Sequence, residues 1–249
     1  MLTLRDRLAE RPFELILSSG FFGFFAHTGV VSALEEAGLR PGLVGGSSAG
    51  ALIAGLWGSG LSAERIRQRL FTLERADFWD PDPLFALRGG VLRGQRFQSL
   101  LEDVLGDKRH IEDCPTPVRL VVFDVATRRA TTLARGPLAT AIRASCSVPA
   151  MFQPTLFENR RYLDGGITDR AGITAATPGA RVLYHHLPAT SPWRRFTPHQ
   201  NREPAHDDLH MLCEPSLPRL SPFHLHRGPQ AYQLAREMTL RALGLPPRH

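Results

Sequence analysis

The chain has 249 residues, of which 43% are hydrophobic and 22% are charged, a balance typical of globular proteins that excludes disordered, collagen-like and coiled-coil chains. The formal net charge of +6 favours anionic partners without saying whether they are lipids or nucleic acids. The longest strongly apolar stretch, residues 49–57, is much shorter than the roughly 20 residues of a membrane-spanning helix, so we expect a chain that does not cross a bilayer.

The start of the chain and its cysteines bear on where the protein works. Arg5, Asp6 and Glu10 place charges where a secretory signal needs an unbroken apolar core. The three cysteines are scattered and form no Cys-x-x-Cys pair, so neither a disulfide framework nor a cysteine metal site is indicated. We therefore expect a cytoplasmic protein with reduced thiols, which is able to contact a membrane surface peripherally.

The first elements in chain order alternate between strand and helix. Residues 13–18 form a short apolar run typical of a buried strand, and apolar residues then repeat with the helical period over 30–37. Residues 43–46 predict a second strand, and an apolar helix begins at residue 49. This alternation predicts a three-layer α/β/α fold with a mainly parallel central sheet.

The later elements follow the same two periodicities. We predict, in order, a helix capped by Ser62 that runs to Arg75, a loop, a helix over 97–104 that ends at Gly106, paired strands over 118–125 and 130–133, a short helix over 138–145, strands over 161–163 and 182–185, and a final helix from Pro229 to 243.

A proline-rich stretch separates the last two of these elements. Residues 188–222 hold seven of the chain's 20 prolines, a density that neither a helix nor a central strand tolerates. We expect a long loop here, within an irregular Pro- and His-rich stretch over 188–227. Because the chain shows no repeat and no second boundary, we predict a single domain over residues 1–249.

Gly46, Ser48 and Gly50 match the pattern G-x-S-x-G where a predicted strand meets a buried helix. In this context the pattern predicts a sharp turn that exposes the serine hydroxyl above the sheet, with glycines where a β-carbon would collide. The start of the next helix, at Ala49, favours a developing negative charge. The alternatives are a plain Gly/Ser turn and a phosphate-binding loop.

A candidate base ends a later strand. Asp164 is followed by Gly165 and Gly166, which leave the backbone around its carboxylate free to turn. A serine nucleophile needs such a base, because its hydroxyl reacts weakly until a neighbouring group takes its proton. Taken alone, the segment is also consistent with an ordinary Asp-Gly turn.

Several sequence blocks together resemble the patatin-like phospholipase family of bacterial type. They occur in family order as Ala26-His27-Thr28-Gly29-Val30, Gly45-Gly46-Ser47-Ser48-Ala49-Gly50-Ala51, Ala141-Ile142-Arg143-Ala144-Ser145 with Pro149, Phe152-Gln153-Pro154, and Tyr162-Leu163-Asp164-Gly165-Gly166. The resemblance implies a serine lipid acyl hydrolase in which Ser48 is the nucleophile and Asp164 its base. It implies a lipid or acyl-ester substrate and an acyl-enzyme intermediate. We expect no cofactor, no metal and no nucleic-acid partner.

The chain departs from the family in the loop that supplies the oxyanion hole. Family members usually carry a glycine-rich run with a basic residue, whereas residues 18–24 read SSGFFGF. We expect the oxyanion amides to come from Gly20, Phe21, Phe22, Gly23 and Ala49. Either Gly20 and Gly23 adopt the special backbone conformations, or the hole is poorly formed. Beyond Gly166, Arg170-Ala171-Gly172 replaces the family's usual N-x-P, which leaves roles there unassigned.

The phenylalanines at 21, 22, 24 and 25 have three interpretations. They line an acyl pocket, insert into a membrane whose anionic head groups attract the arginines, or pack into the core. His27 lies near the start of the first long helix, and we expect a structural role for it.

Three further interpretations compete with the serine dyad. The first is a fold that has lost catalysis and binds a lipid or a partner, as the missing loop glycines suggest. The second is a Ser-His-Asp triad whose histidine is His185, His224 or His226. The third is a metal site among a cluster whose spacing fits no firm motif: His206, Asp207, Asp208, His210 and Cys213.

Overall fold

A mixed and mainly parallel β-sheet forms the centre of the protein. The computed structural model describes residues 2–84, 89–106, 110–188 and 204–246. The strands are β1 (Phe13–Leu17), β2 (Leu43–Ser47), β3 (Gly90–Leu92), β4 (Val118–Asp124), β5 (Arg129–Leu133), β6 (Ala150–Phe152), β7 (Thr155–Phe157), β8 (Arg160–Asp164), β9 (Arg181–His186) and β10 (Leu209–Cys213). The main sheet has the order β10-β9-β1-β2-β4-β8-β7, and β5 also pairs with β4.

Helices cover the sheet on both sides, and its central strands run parallel. The helices are α1 (Leu4–Glu10), α2 (Phe24–Glu36), α3 (Ala49–Gly58), α4 (Ala63–Phe71), α5 (Gln95–Leu105), α6 (Leu138–Ser145) and α7 (Gly228–Ala242). Strands β10, β9, β1, β2 and β4 are parallel neighbours, while β5 and β8 run antiparallel to β4. The predicted α/β class with a mainly parallel central sheet is confirmed.

The sheet buries a large core on one face and a smaller one on the other. Along β1, Leu15 and Leu17 join the large core with α2 and α3, whereas Ile16 joins the small one. Every residue of α3 is buried, as its apolar composition predicts. Helix α3 is therefore fixed in place beneath the turn that precedes it.

The strand register brings the two candidate catalytic residues close together. On β4, Val121 pairs with Ser47 on one side and Val122 pairs with Asp164 on the other. Ser48 follows directly after Ser47, so a single strand separates the turn at Ser48 from Asp164. The carboxyl ends of parallel strands are where α/β folds form their binding crevices.

One part of the prediction for the proline-rich stretch is wrong. Strand β10 lies inside that stretch and pairs in parallel with β9. A strand is possible here because residues 205–214 contain no proline and because β10 is at the edge of the sheet, where only one neighbour needs hydrogen bonds. Residues 189–203 lie outside the described residues, and the single domain stays a prediction.

Two predicted elements end or begin elsewhere. Ser62 caps α4 by accepting the Arg65 N–H at 3.2 Å, as predicted, but α4 ends at Phe71, and a separate turn of 3₁₀-helix covers Arg75–Asp77. Part of the expected loop that follows is strand β3, which pairs with β6. In the described part of the chain, no helix combines the length and apolar character needed to span a membrane.

Candidate active site

Ser48 occupies a sharp turn between β2 and α3. Its backbone has φ 54° and ψ −117°, a conformation that residues other than glycine rarely adopt. A β-carbon on Gly46 would lie 2.6 Å from the Gly50 carbonyl carbon, and one on Gly50 would lie 2.0 Å from the Leu17 carbonyl oxygen. Glycine is therefore required at both positions, as the G-x-S-x-G pattern predicts.

The C-terminal end of α6 holds the Ser48 backbone in place. The Ser48 N–H donates to Ser145 Oγ at 2.9 Å, and that hydroxyl donates to the Val121 carbonyl at 2.6 Å. The Cys146 thiol donates to the Ser48 carbonyl at 3.3 Å. Nothing in the local sequence pattern assigns Ser145 or Cys146 a role here, because their contact with Ser48 spans almost 100 residues of chain.

Asp164 presents its carboxylate at the end of β8. Oδ1 accepts the Gly166 N–H at 2.8 Å, and Oδ2 has no hydrogen-bond partner among the described residues. A β-carbon on Gly165 would lie 2.4 Å from the Val121 carbonyl oxygen, so glycine permits this close approach to β4. One carboxylate oxygen is thus fixed, and the other is left available.

The buried Asp164 lies beside the partly buried Ser48. Burial raises the pKa of Asp164 from 3.8 to about 6, against the Ser48 side chain and the Gly166 N–H, which both lower it. The Ser48 hydroxyl is thus near enough to affect the carboxylate, but the contact falls short of normal hydrogen-bond geometry. Such contacts are often long in a site without substrate. A carboxylate with this pKa is able to act as a base near neutral pH.

The loop between β1 and α2 differs from the expectation for its glycines. The left-handed conformation falls on Phe22, at φ 57°, so the expectation that Gly20 and Gly23 would adopt it is wrong. Those glycines are needed for a different reason: a β-carbon at Gly20 or Gly23 would lie 2.5 or 2.1 Å from Leu187 Cδ1. The rings of Phe21, Phe24 and Phe78 surround Phe22, with centroids 4.9 to 5.5 Å away.

The candidate oxyanion amides are not equally available. The Gly23 N–H donates to the Gly20 carbonyl at 2.8 Å and closes the turn, so it is not free for a substrate. Within the described residues, the amides of Gly20, Phe21, Phe22 and Ala49 donate to no acceptor. These four remain candidates for holding an oxyanion, and Gly23 does not.

An apolar pocket opens beside Ser48. Its empty space, including the open mouth, is about 960 Å³. Its walls come mainly from α3, α4, α5 and the segment from the β1–α2 loop to the start of α2. They include Phe21, Phe22, Phe24, Leu52, Leu70, Phe97, Leu101 and Met151. Phe25 lies apart from them, buried against Gly228 and Phe71. Three of the four phenylalanines therefore line the pocket, and one packs into the core.

The candidate histidines lie away from the dyad. His27 and His185 are fully buried, with their Nδ1 atoms 2.7 Å apart, and His27 Nε2 donates to the Ser18 carbonyl. Since that leaves His27 Nδ1 as an acceptor, His185 Nδ1 is the donor. His224 is exposed and bonds to Ser221, and His226 is exposed. Among the described residues, no histidine hydrogen-bonds to Ser48 or Asp164.

Two residues of the candidate metal cluster have other partners. His206 Nε2 donates to the Ala180 carbonyl at 2.7 Å, and Asp208 forms ion pairs with Arg11 and Arg181. In the described ranges, no three His, Cys, Asp or Glu side chains converge as metal ligands would.

The match to a family model decides the assignment. Residues 15–177 match the model of the patatin-like phospholipases, which is more than half of the chain. This chain belongs to the patatin-like phospholipase family. The family predicted from the sequence blocks is confirmed, and the matched patatin-like region contains both Ser48 and Asp164.

Curated relatives include proteins named as NTE family members and lysophospholipases. An uncharacterised NTE family protein of Mycobacterium tuberculosis is 33% identical over 167 residues, which is 67% of this chain and 46% of that protein. A protein of Emericella nidulans named lysophospholipase is 30% identical over 189 residues, 73% of this chain and 12% of that protein. The chain thus spans less than half the length of these relatives.

Solved structures share the patatin-like fold at low identity. VipD from Legionella pneumophila superposes with a TM-score of 0.57 at 14% identity, covering 94% of this chain and 67% of that one. ExoU of Pseudomonas aeruginosa, in its complex with SpcU, gives a TM-score of 0.52 at 15% identity and covers 96% and 54%. At these identities the likeness supports the fold and nothing finer.

Proposed function

We propose that this protein is a serine lipid acyl hydrolase that uses Ser48 and Asp164 as a catalytic dyad. The observation that carries the proposal is the position of Ser48, in a strained turn beside a buried carboxylate and at the edge of an apolar pocket. The family of the chain and the lysophospholipase name of one relative support a lipid ester as substrate.

In the proposed mechanism, Asp164 Oδ2 accepts the Ser48 proton as Oγ attacks the ester carbonyl carbon. The carbonyl oxygen becomes the oxyanion, which accepts hydrogen bonds from N–H groups of Ala49 and of the loop at Gly20, Phe21 and Phe22. The intermediate collapses, the alcohol leaves with the proton held by Asp164, and an acyl-Ser48 ester remains. Water then loses a proton to Asp164, attacks the acyl carbon and releases the fatty acid, and Ser48 regains its proton.

This chemistry needs no cofactor, because the base, the nucleophile and the oxyanion donors are all groups of the chain. The apolar walls of the pocket favour an acyl chain, since each buried CH₂ group contributes about 0.8 kcal/mol. Cys146 is not a rival nucleophile, since burial and the charge of Asp164 raise the pKa of its thiol well above normal.

Labelling with a fluorophosphonate tests the proposal. The reagent is expected to modify Ser48, located by mass spectrometry, and Ser48→Ala should remove both the label and hydrolysis of a lipid panel. Ser47→Ala is the matched control, because Ser47 is the neighbouring serine and its Oγ is buried without a hydrogen-bond partner among the described residues. A folded, unlabelled wild type would instead favour a lipid-binding module without catalysis. Loss of activity on replacing His185, His224 or His226 would favour the triad.

A further inference from the structure

A second apolar groove adjoins the pocket at Ser48. Its empty space is about 670 Å³, and it shares Phe21, Val148 and Met151 with the pocket. Its other walls are Trp79, Val91, Leu92, Pro149 and Ala150. Among the described residues, the lining of this groove holds no charged side chain, so the groove presents an apolar surface next to the pocket that contains Ser48.

Two aromatic rings and one arginine stack beside this groove, with Trp79 partly buried and Arg75 and Phe223 exposed. The Arg75 guanidinium lies 5.4 Å from the centroid of Trp79 and 5.3 Å from that of Phe223. Phe223 is 66% exposed and Val91 is 39% exposed, so two large apolar side chains of this region face water. Among the described residues, Arg75 forms no ion pair with a carboxylate.

This composition matches the boundary of a lipid bilayer. Tryptophan and arginine both favour the head-group region, where an apolar body and a polar or charged end are satisfied together. Arg75 would meet anionic head groups, and the neighbouring rings would enter the acyl boundary. The net charge of +6 acts in the same direction over longer distances.

We propose that this docking surface, formed by Trp79, Val91, Met151, Arg75 and Phe223, binds an anionic lipid bilayer and admits lipid to the pocket at Ser48. The surface differs from the four-phenylalanine membrane contact expected from the sequence, because Phe24 and Phe25 are buried. The delivery of substrate rests on the proposed function, whereas the binding to lipid does not require catalysis.

Vesicle sedimentation tests the binding in the intact chain. With phosphatidylcholine vesicles containing phosphatidylglycerol, Trp79→Ala and Phe223→Ala should each weaken binding about tenfold. Arg75→Gln should weaken it about fivefold at low salt and less at high salt. Leu156→Ala is the matched control, since Leu156 is 62% exposed but lines neither pocket, and it should bind as wild type does. Equal losses in Leu156→Ala would overturn the proposal.

Trp79 is also a native probe of depth in the bilayer. In a Trp193→Phe background, brominated acyl chains should quench Trp79 fluorescence. They should not quench Trp57, because Trp57 is 2% exposed and its indole N–H donates to Glu35. Trp79→Phe keeps the apolar surface, so it should keep binding and lose the quenching. Binding without quenching would place another surface on the membrane and overturn the proposal. A dimer that dissociates in Trp79→Ala without lipid would also overturn it, because a second copy would then cover the groove.

Activity measurements distinguish a failure of the docking surface from a failure of the proposed catalytic dyad. Trp79→Ala should lower hydrolysis of vesicle lipid about tenfold and leave hydrolysis of a soluble short-chain aryl ester unchanged. Ser48→Ala should bind vesicles normally while losing both activities. Unaltered vesicle hydrolysis by Trp79→Ala refutes the docking surface alone, whereas normal vesicle binding by an inactive wild type refutes only the dyad.

Discussion

Replacing Asp164 by asparagine should abolish turnover and at the same time stabilise the folded protein. Asp164 is only 6% exposed, and its Oδ2 has no hydrogen-bond partner among the described residues. Burial therefore opposes ionisation, which is why its pKa is raised to about 6. Asparagine has the same shape and no charge, and its amide is able to donate to the Ser48 hydroxyl. The change removes the proposed base and the cost of burying it.

The size of the gain follows from the two pKa values. A shift of one unit corresponds to about 1.4 kcal/mol, so the rise from 3.8 to about 6 destabilises the ionised protein by about 3 kcal/mol at pH 7. Asp164 binds its proton more tightly in the folded protein than in the unfolded chain. The destabilisation therefore vanishes below the pKa of Asp164 in the unfolded chain and reaches its full size above the pKa in the folded protein. At pH 5 about half of it remains.

Urea unfolding of wild type and Asp164→Asn at pH 7 and pH 5 measures the difference. The expected gain of about 3 kcal/mol corresponds to roughly 6–12 °C in Tm for a chain of this size. Asp124→Asn is the control, because Asp124 is equally buried but accepts N–H bonds from Ala126 and Thr127 and pairs with Arg160, so its replacement should destabilise. An Asp164→Asn protein that is no more stable than wild type at pH 7 would refute the reasoning.

Three further predictions concern the loop, the turn and the buried histidines. Gly23→Ala should lower kcat, and adding Leu187→Ala should restore most of it, since the new β-carbon would press most closely on the end of the Leu187 side chain. A wild-type kcat in Gly23→Ala alone would contradict this prediction. Gly50→Ala should unfold the protein or abolish its activity, whereas Gly42→Ala, whose β-carbon would meet nothing closer than 3.8 Å, should be tolerated in thermal unfolding. Burial lowers the pKa of His27 from 6.5 to about 4, so the folded state resists protonation of this ring and loses stability as the pH falls below 6.5. The free energy of unfolding in urea should fall by about 3 kcal/mol between pH 6.5 and pH 4, and it should fall less steeply in His27→Gln.

Local patterns predicted those parts of the fold that depend on neighbouring residues. The first strands and helices, the cap at Ser62 and the glycines around Ser48 follow from periodicity and from sterics within a few residues. Strand β10 was missed because the proline count over a long window concealed a proline-free segment at the sheet edge.

The parts of the site that escaped prediction depend on contacts between distant segments. Gly20 and Gly23 are glycines because Leu187, more than 160 residues away in the chain, packs against them, and no pattern around residue 20 contains that information. The hydrogen bond from Ser48 to Ser145 is of the same kind. The roles of Ser48 and Asp164 came from the family resemblance and stay predictions until the labelling and the variants are measured.

Phe22 adopts the left-handed region with three neighbouring rings packed around it, so two properties that a glycine-rich loop would keep separate depend here on the same residues. In a glycine-rich loop the backbone alone sets the direction of the amides, and the walls of the acyl site can diversify freely. In the proposed active site, the rings packed around Phe22 are also walls of the pocket. If the proposed hydrolase activity is correct, a change of Phe21, Phe24 or Phe78 that adapts the pocket to a longer or shorter acyl chain should also change the rate of cleavage. New specificities are therefore expected to arise first at the far walls of the pocket, on α4 and α5.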